Sequence, residues 1–118
     1  MGHGDEFADF VLELLAPLGG VSRRRMFGGH GIYRDGVMFA LIADDTLYFK
    51  TDATSRGEFE AAGLDPFRYA RQGRQVALSY HRAPDAAFDS PRAMRPWAER
   101  GFAAALRGRK APRARTEA

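Results

Sequence analysis

The sequence predicts an α+β domain: two layers, with an antiparallel or mixed sheet and helices packed on one of its faces. Two observations carry this. Apolar residues recur at three- and four-residue spacing near both ends of the chain, from Phe7 to Leu18 and from Met94 to Ala105, which is the period of a helix with one buried stripe. Between them lie short apolar runs punctuated by turn residues. Asp35-Gly36 joins two of these runs, and Asp-Gly there signals a hairpin, because a type I′ turn needs φ > 0 at both central positions.

Each element has its own justification. Residues 1–4 read as a loose end, after which Asp5 can cap the first helix and Glu6 suits the positive end of its dipole. Phe7, Phe10, Val11, Leu14, Leu15 and Leu18 form the stripe, and Pro17 with Gly19-Gly20 ends it. Val21–Arg25 reads as a strand carrying Arg23, Arg24 and Arg25. Alternation sends Arg23 and Arg25 to one face and Arg24 to the other. Gly28-Gly29-His30-Gly31 reads as a tight bend, with His30 a turn residue. Ile32-Tyr33 follows, and Val37–Ala43, apolar throughout, reads as a strand covered on both faces. Asp44-Asp45 turns the chain into a strand at Leu47–Lys50.

A short helix is expected over 52–62, with Ser55 and Glu58 at capping-box spacing and Asp52 as a rival cap. Phe59 is its apolar contact, Gly63 suits a left-handed C-terminal position, and Pro66 blocks continuation. Phe67–Tyr69 reads as a brief extended segment. In Gln75–Arg82, alternation groups Val76, Leu78 and Tyr80 on a covered face, with Gln75, Ser79 and His81 on the exposed one. Ser90-Pro91 starts the last helix, because Ser caps and Pro at the first position lacks an N–H that would be unpaired anyway. Pro96 is expected to push the true start along by up to a turn. Trp97 reads as a core anchor. Residues 1–108 form the expected domain and 109–118 a disordered basic tail.

Composition excludes several classes. The 118 residues suffice for one core. No apolar run approaches the ~20 residues of a membrane span, and the acidic start MGHGDEF does not resemble a signal peptide. A cytoplasmic location is expected. With no cysteine there is neither disulfide framework nor thiolate chemistry. The net charge of +3 is concentrated at the C-terminus: Arg107, Arg109, Lys110, Arg113 and Arg115 stand against Glu117, while residues 1–106 hold 13 basic and 14 acidic groups. The basic balance therefore says little about the folded part. The histidines His3, His30 and His81 show no metal-ligand spacing, the glycine motif matches no nucleotide-binding pattern, and no cofactor is implied.

The stretch MFGGHGIYRDGVMFALIADDTLYFK, from Met26 to Lys50, resembles the core signature of the TfoX N-terminal domain family, which belongs to the TfoX/Sxy competence regulators. Gly63 before Pro66-Phe67, Tyr69, Ser79-Tyr80 before Ala83-Pro84, and Trp97-Ala98 extend the resemblance over most of the chain. It implies a fold like that of secretion-chaperone-like domains. It also implies a role in natural competence, where such proteins promote transcription of DNA-uptake genes with a cAMP-responsive activator.

The sequence admits three functions. The preferred one is a non-enzymatic regulatory and protein-interaction domain, with a transcription factor as partner or a second copy of the chain in a homodimer. Arg23, Arg24, Arg25, His30, Gln75, Ser79 and His81 are its candidate partner-binding residues. The alternative is nucleic-acid binding through Arg23–Arg25 and the basic tail, whose cations would release counterions from phosphates. Least favoured is a small enzyme: Ser79 and His81 share a strand face, but no carboxylate is placed by sequence to orient the imidazole.

Overall fold

A computed structural model describes the backbone of residues 3–26 and 28–116, with burial and contacts for 5–26 and 28–109. Phe27 of the glycine-rich signature lies outside the described residues, as do residues 1, 2, 117 and 118. The chain runs α1 (His3–Leu15), a 3-10 turn at Ala16–Leu18, β1 (Val21–Met26), β2 (Gly29–Arg34), β3 (Val37–Ala43), β4 (Thr46–Lys50), α2 (Arg56–Ala61), β5 (Pro66–Arg71), β6 (Arg74–Arg82), a 3-10 turn at Asp85–Asp89, and α3 (Pro91–Thr116). The six strands form one sheet in the order β1-β2-β3-β4-β6-β5, every neighbour antiparallel. The fold is α+β, and its sheet is wholly antiparallel.

The turns follow from local chemistry. Asp35 and Gly36 have φ of 51° and 82°, as a type I′ hairpin requires, and Asp44-Asp45 adopts the same hand at 55° and 56°. Asp tolerates this region better than most residues because its short side chain bonds locally. Between β2 and β3 the register shifts at Ile32/Tyr33, leaving Phe39 as the extra residue of a β-bulge. Phe39 and its neighbour Ala40 are both fully buried. The bulge re-aims Phe39 into the core, where it stacks on Phe49 at 6.2 Å and meets Phe102 of α3 edge-on at 5.8 Å.

The helices cover one face of the sheet. Val11, Leu15, Ile32, Phe39, Phe49, Phe59, Met94 and Ala98 belong to one core. Gly101 lets α3 approach closely: a Cβ there would lie 3.1 Å from both the Phe39 carbonyl oxygen and the Phe49 ring. β3 is covered on one side only, contrary to the expectation from its apolar run. Met38, Leu41 and Ala43 are half-exposed on the far face, while Val37, Phe39, Ala40 and Ile42 are buried.

The helix termini differ from expectation in three places. The first helix begins at His3, so Asp5 lies within it, and its carboxylate reaches Arg25 instead of capping. α2 is not closed by a capping box, because the Ser55 side chain makes no capping bond. Asp52 takes that role, accepting from the Thr54 and Ser55 N–H groups at 3.1 and 3.0 Å. α3 starts at Pro91, with Ser90 Oγ accepting from the Ala93 N–H at 3.0 Å, so Pro96 is absorbed without displacing the start.

Asp52 also clasps α3. Arg107 donates to its two oxygens at 2.6 and 2.9 Å, and this hydrogen bond holds the carboxyl far below the usual carboxylate range. Asp52→Ala is expected to destabilise the fold by about 1 kcal/mol, a typical N-cap loss, measurable by urea unfolding at pH 7. The contribution is full above the unfolded Asp pKa of about 3.9 and fades as pH falls below it. The variant should therefore lose less stability than the parent between pH 5 and pH 3.

Candidate functional site

Register divides the arginine run. Arg23 pairs with Ile32 and Arg25 with His30, which sets both on the helix side facing α1. Arg23 meets Asp9 at 3.1 Å and Asp5 at 3.7 Å, and Arg25 meets Asp5 at 2.6 Å. Arg24 points to the opposite face, 5.1 Å above the Tyr33 ring. Two of the three arginines are thus engaged by acids of the first helix.

His30 is a strand residue, not a turn residue; the chain bends at Gly28, where φ is 79°. Gly29 is required beside it, since a Cβ there would collide with the Ile42 carbonyl. His30 is 4% exposed, its Nε2 lying 3.2 Å from Arg23 Nη1 and 3.4 Å from Asp5 Oδ1. Its Nδ1 has no hydrogen-bond partner among the described residues.

His81 departs further from expectation. Pairing with Phe49 turns it to the helix face, where it is 3% exposed. Its Nδ1 lies 2.9 Å from Thr51 Oγ1, its ring packs 5.8 Å from Phe59, and its Nε2 stands 3.7 Å from Glu60. Burial pushes its pKa down, against the opposing pull of Glu60. Gln75 and Ser79 are exposed as expected, but Leu78 of the supposedly covered set is 38% exposed, and Val76 and Tyr80 are half-buried. The face assignment inverts because the helices cover the His81 side of the sheet, and only as far as that end of β6.

The uncovered face of the sheet is aromatic. Tyr33, Tyr48, Phe67, Tyr69 and Tyr80 are all half-buried there. Tyr48 meets Phe67 edge-on at 5.0 Å, and Phe67 stacks on Tyr69 at 6.2 Å. Lys50 Nζ lies 5.2 Å from the Tyr80 ring. Burial raises the Tyr80 phenol pKa, and the nearby Tyr33 adds to the shift.

A second surface forms where α1 meets the turn before α3. Phe10, read from sequence as a core residue, is 41% exposed and stacks on Phe88 at 6.2 Å, with Phe7 tilted against the same ring at 5.9 Å. Beside them opens a cleft of about 260 Å³ lined by Phe7, Asp45, Thr46, Leu47, Arg82 and Phe88, among others. Phe10 sits at the margin of its helical stripe, and that marginal position was the sequence signal for exposure. No group of three metal-ligating side chains occurs among the described residues.

These features define a small single-sheet α+β domain, with helices on one face and an open aromatic face on the other. The chain belongs to the TfoX N-terminal domain family, whose profile matches residues 13–105. It is similar to the DNA transformation protein TfoX1 of Aliivibrio fischeri, with 31% identity over 81 residues. The match covers 68% of this chain and 37% of that relative, so the chain spans little more than a third of the relative's length.

Proposed function

We propose that this chain is a non-enzymatic, cytoplasmic regulatory domain serving DNA transformation, which works by docking a protein partner that controls transcription. Family membership supports the biological role. The observation that carries the docking reading is the exposed Phe10–Phe88 stack beside the open cleft. An aromatic pair with one exposed ring, Phe10, rimmed by charge, here the Arg82–Asp85 pair, suits the anchor of a protein interface. The non-enzymatic reading draws on the histidines: His30 is engaged by Arg23 and Asp5, and His81 by Thr51 and Phe59, so both serve the packing.

The test is a chimera in which this chain replaces the matched segment of the Aliivibrio fischeri relative, scored by transformation frequency. The chimera should transform, and Phe10→Asp within it should lower the frequency at least about tenfold, the loss expected when an interface anchor worth ~1.4 kcal/mol or more is removed. Phe10 is part-exposed, so the isolated variant should keep the parent fold by circular dichroism, with its thermal midpoint lowered only modestly through the lost Phe88 stack. A folded chimera that transforms equally well with Phe10→Asp would move the docking site elsewhere.

A further inference from the structure

The β5–β6 hairpin carries an arrangement of which the docking reading uses only Arg82. Between Pro66 and Pro84 the sequence holds Arg68, Arg71, Arg74 and Arg82 and no acidic residue. Only Arg82 of the four is in an ion pair among the described residues, with Asp85 at 3.6 Å. Arg71 and Arg74 are register partners at the tip, flanking the left-handed Gln72-Gly73 turn, and both are exposed. Like charges directly opposite each other destabilise a hairpin, and here nothing in the described chain offsets them. An anionic ligand would.

The hairpin also extends the aromatic face. From the tip inward along that face come Tyr69, Phe67 and Tyr48, then Tyr80 with Lys50 above it, and at the far side Tyr33 with Arg24. No carboxylate occupies a strand position on this face; Asp44 and Asp65, in the connections, lie near Tyr48. Cations interleaved with half-buried aromatic rings on an uncovered sheet face fit one ligand chemistry best. Phosphates take the cations, and unstacked bases take the rings. A duplex keeps its bases stacked and would use only the arginines. A second copy of the chain would bring Arg24, Lys50, Arg71 and Arg74 against their own kind.

We propose that the β5–β6 hairpin and the aromatic sheet face it extends bind single-stranded nucleic acid. The tip arginines hold the backbone while Tyr69 and Phe67 stack on bases. This site is separate from the Phe10 surface, so either reading can fail alone.

The test is fluorescence anisotropy with the full chain and labelled oligothymidylate, oligouridylate and a mixed-sequence duplex at two salt concentrations. Binding should weaken as salt rises, and single strands should be preferred over duplex at least about tenfold. Arg71→Glu with Arg74→Glu should weaken binding about tenfold or more, since two phosphate contacts are lost. Tyr69→Leu should weaken single-strand binding by about 5- to 100-fold, the range for one stacked base. All three positions lie outside the helix-covered core, and circular dichroism should show the parent fold. Several results would overturn the proposal. They are no binding at low salt, duplex binding unaffected by Tyr69→Leu, binding lost only when Arg109, Lys110, Arg113 and Arg115 become Gln, or a dimer abolished by Tyr69→Leu without oligonucleotide binding.

Discussion

Phe39→Ala is expected to destabilise the domain by about 3–5 kcal/mol, the range for emptying a large aromatic site in a core. Phe39 is fully buried, and its ring touches Phe49 of the adjacent strand and Phe102 of α3. It joins the sheet to the helix that seals it. α3 lies tight against this point, because Gly101 brings its backbone to the Phe39 carbonyl, so the cavity has little room to collapse. With domain stabilities of roughly 5–15 kcal/mol, such a loss can unfold the protein at modest urea concentration. The measurement is the urea midpoint by circular dichroism. Met38→Ala, one residue away on the half-exposed face, should cost well under half as much. Equal losses at the two positions would mean that the bulge does not aim Phe39 into the core.

That comparison shows what the sequence could convey. Period and turn chemistry pointed to β1, β3, β4 and β6, because Asp35-Gly36, Asp44-Asp45 and Gly73 leave the chain few alternatives, whereas the start of β2 read as a bend and β5 only as a brief extended segment. The bulge was not legible: strict alternation puts Phe39 and Ala40 on opposite faces, and only the β2–β3 register shows them buried together. The covered face of β6 was misassigned for a related reason. Val76, Leu78 and Tyr80 form an apolar alternation, but the sheet has two faces and helices enough for one. Partner choice at each end of a contact was equally hidden. Three arginines in a row do not reveal that Asp5 and Asp9 will face two of them across a helix. The acid-free run between Pro66 and Pro84 was readable, but its meaning depends on Arg71 and Arg74 being opposed at an exposed tip.

His81→Ala is expected to cost about 2–3 kcal/mol at pH 7.5, which separates a packing role from a surface one. The change leaves Thr51, itself buried, without the bond at 2.9 Å, and an unpaired buried hydroxyl costs about 1–3 kcal/mol. It also removes the ring that packs on Phe59. The pH dependence supplies the sharper readout. Burial disfavours the imidazolium, and Glu60 opposes that, while Arg56 and Arg68 reinforce it from α2 and β5. The folded pKa therefore lies below the unfolded value near 6.5, so the unfolded chain takes up the proton first. The His81 contribution is complete above pH ~6.5 and is lost as pH falls through that value toward the folded pKa. Between pH 7.5 and 5.5 the parent should lose up to about 1.4 kcal/mol through this group, the most that one proton can contribute over that window. His81→Ala should show that much less slope in urea midpoints over the same range. His30→Ala, measured in parallel, separates the second buried imidazole from the first. A His81 variant with unchanged slope and unchanged midpoint would show a ring free to reach solvent, and would return it to the set of residues available to a partner.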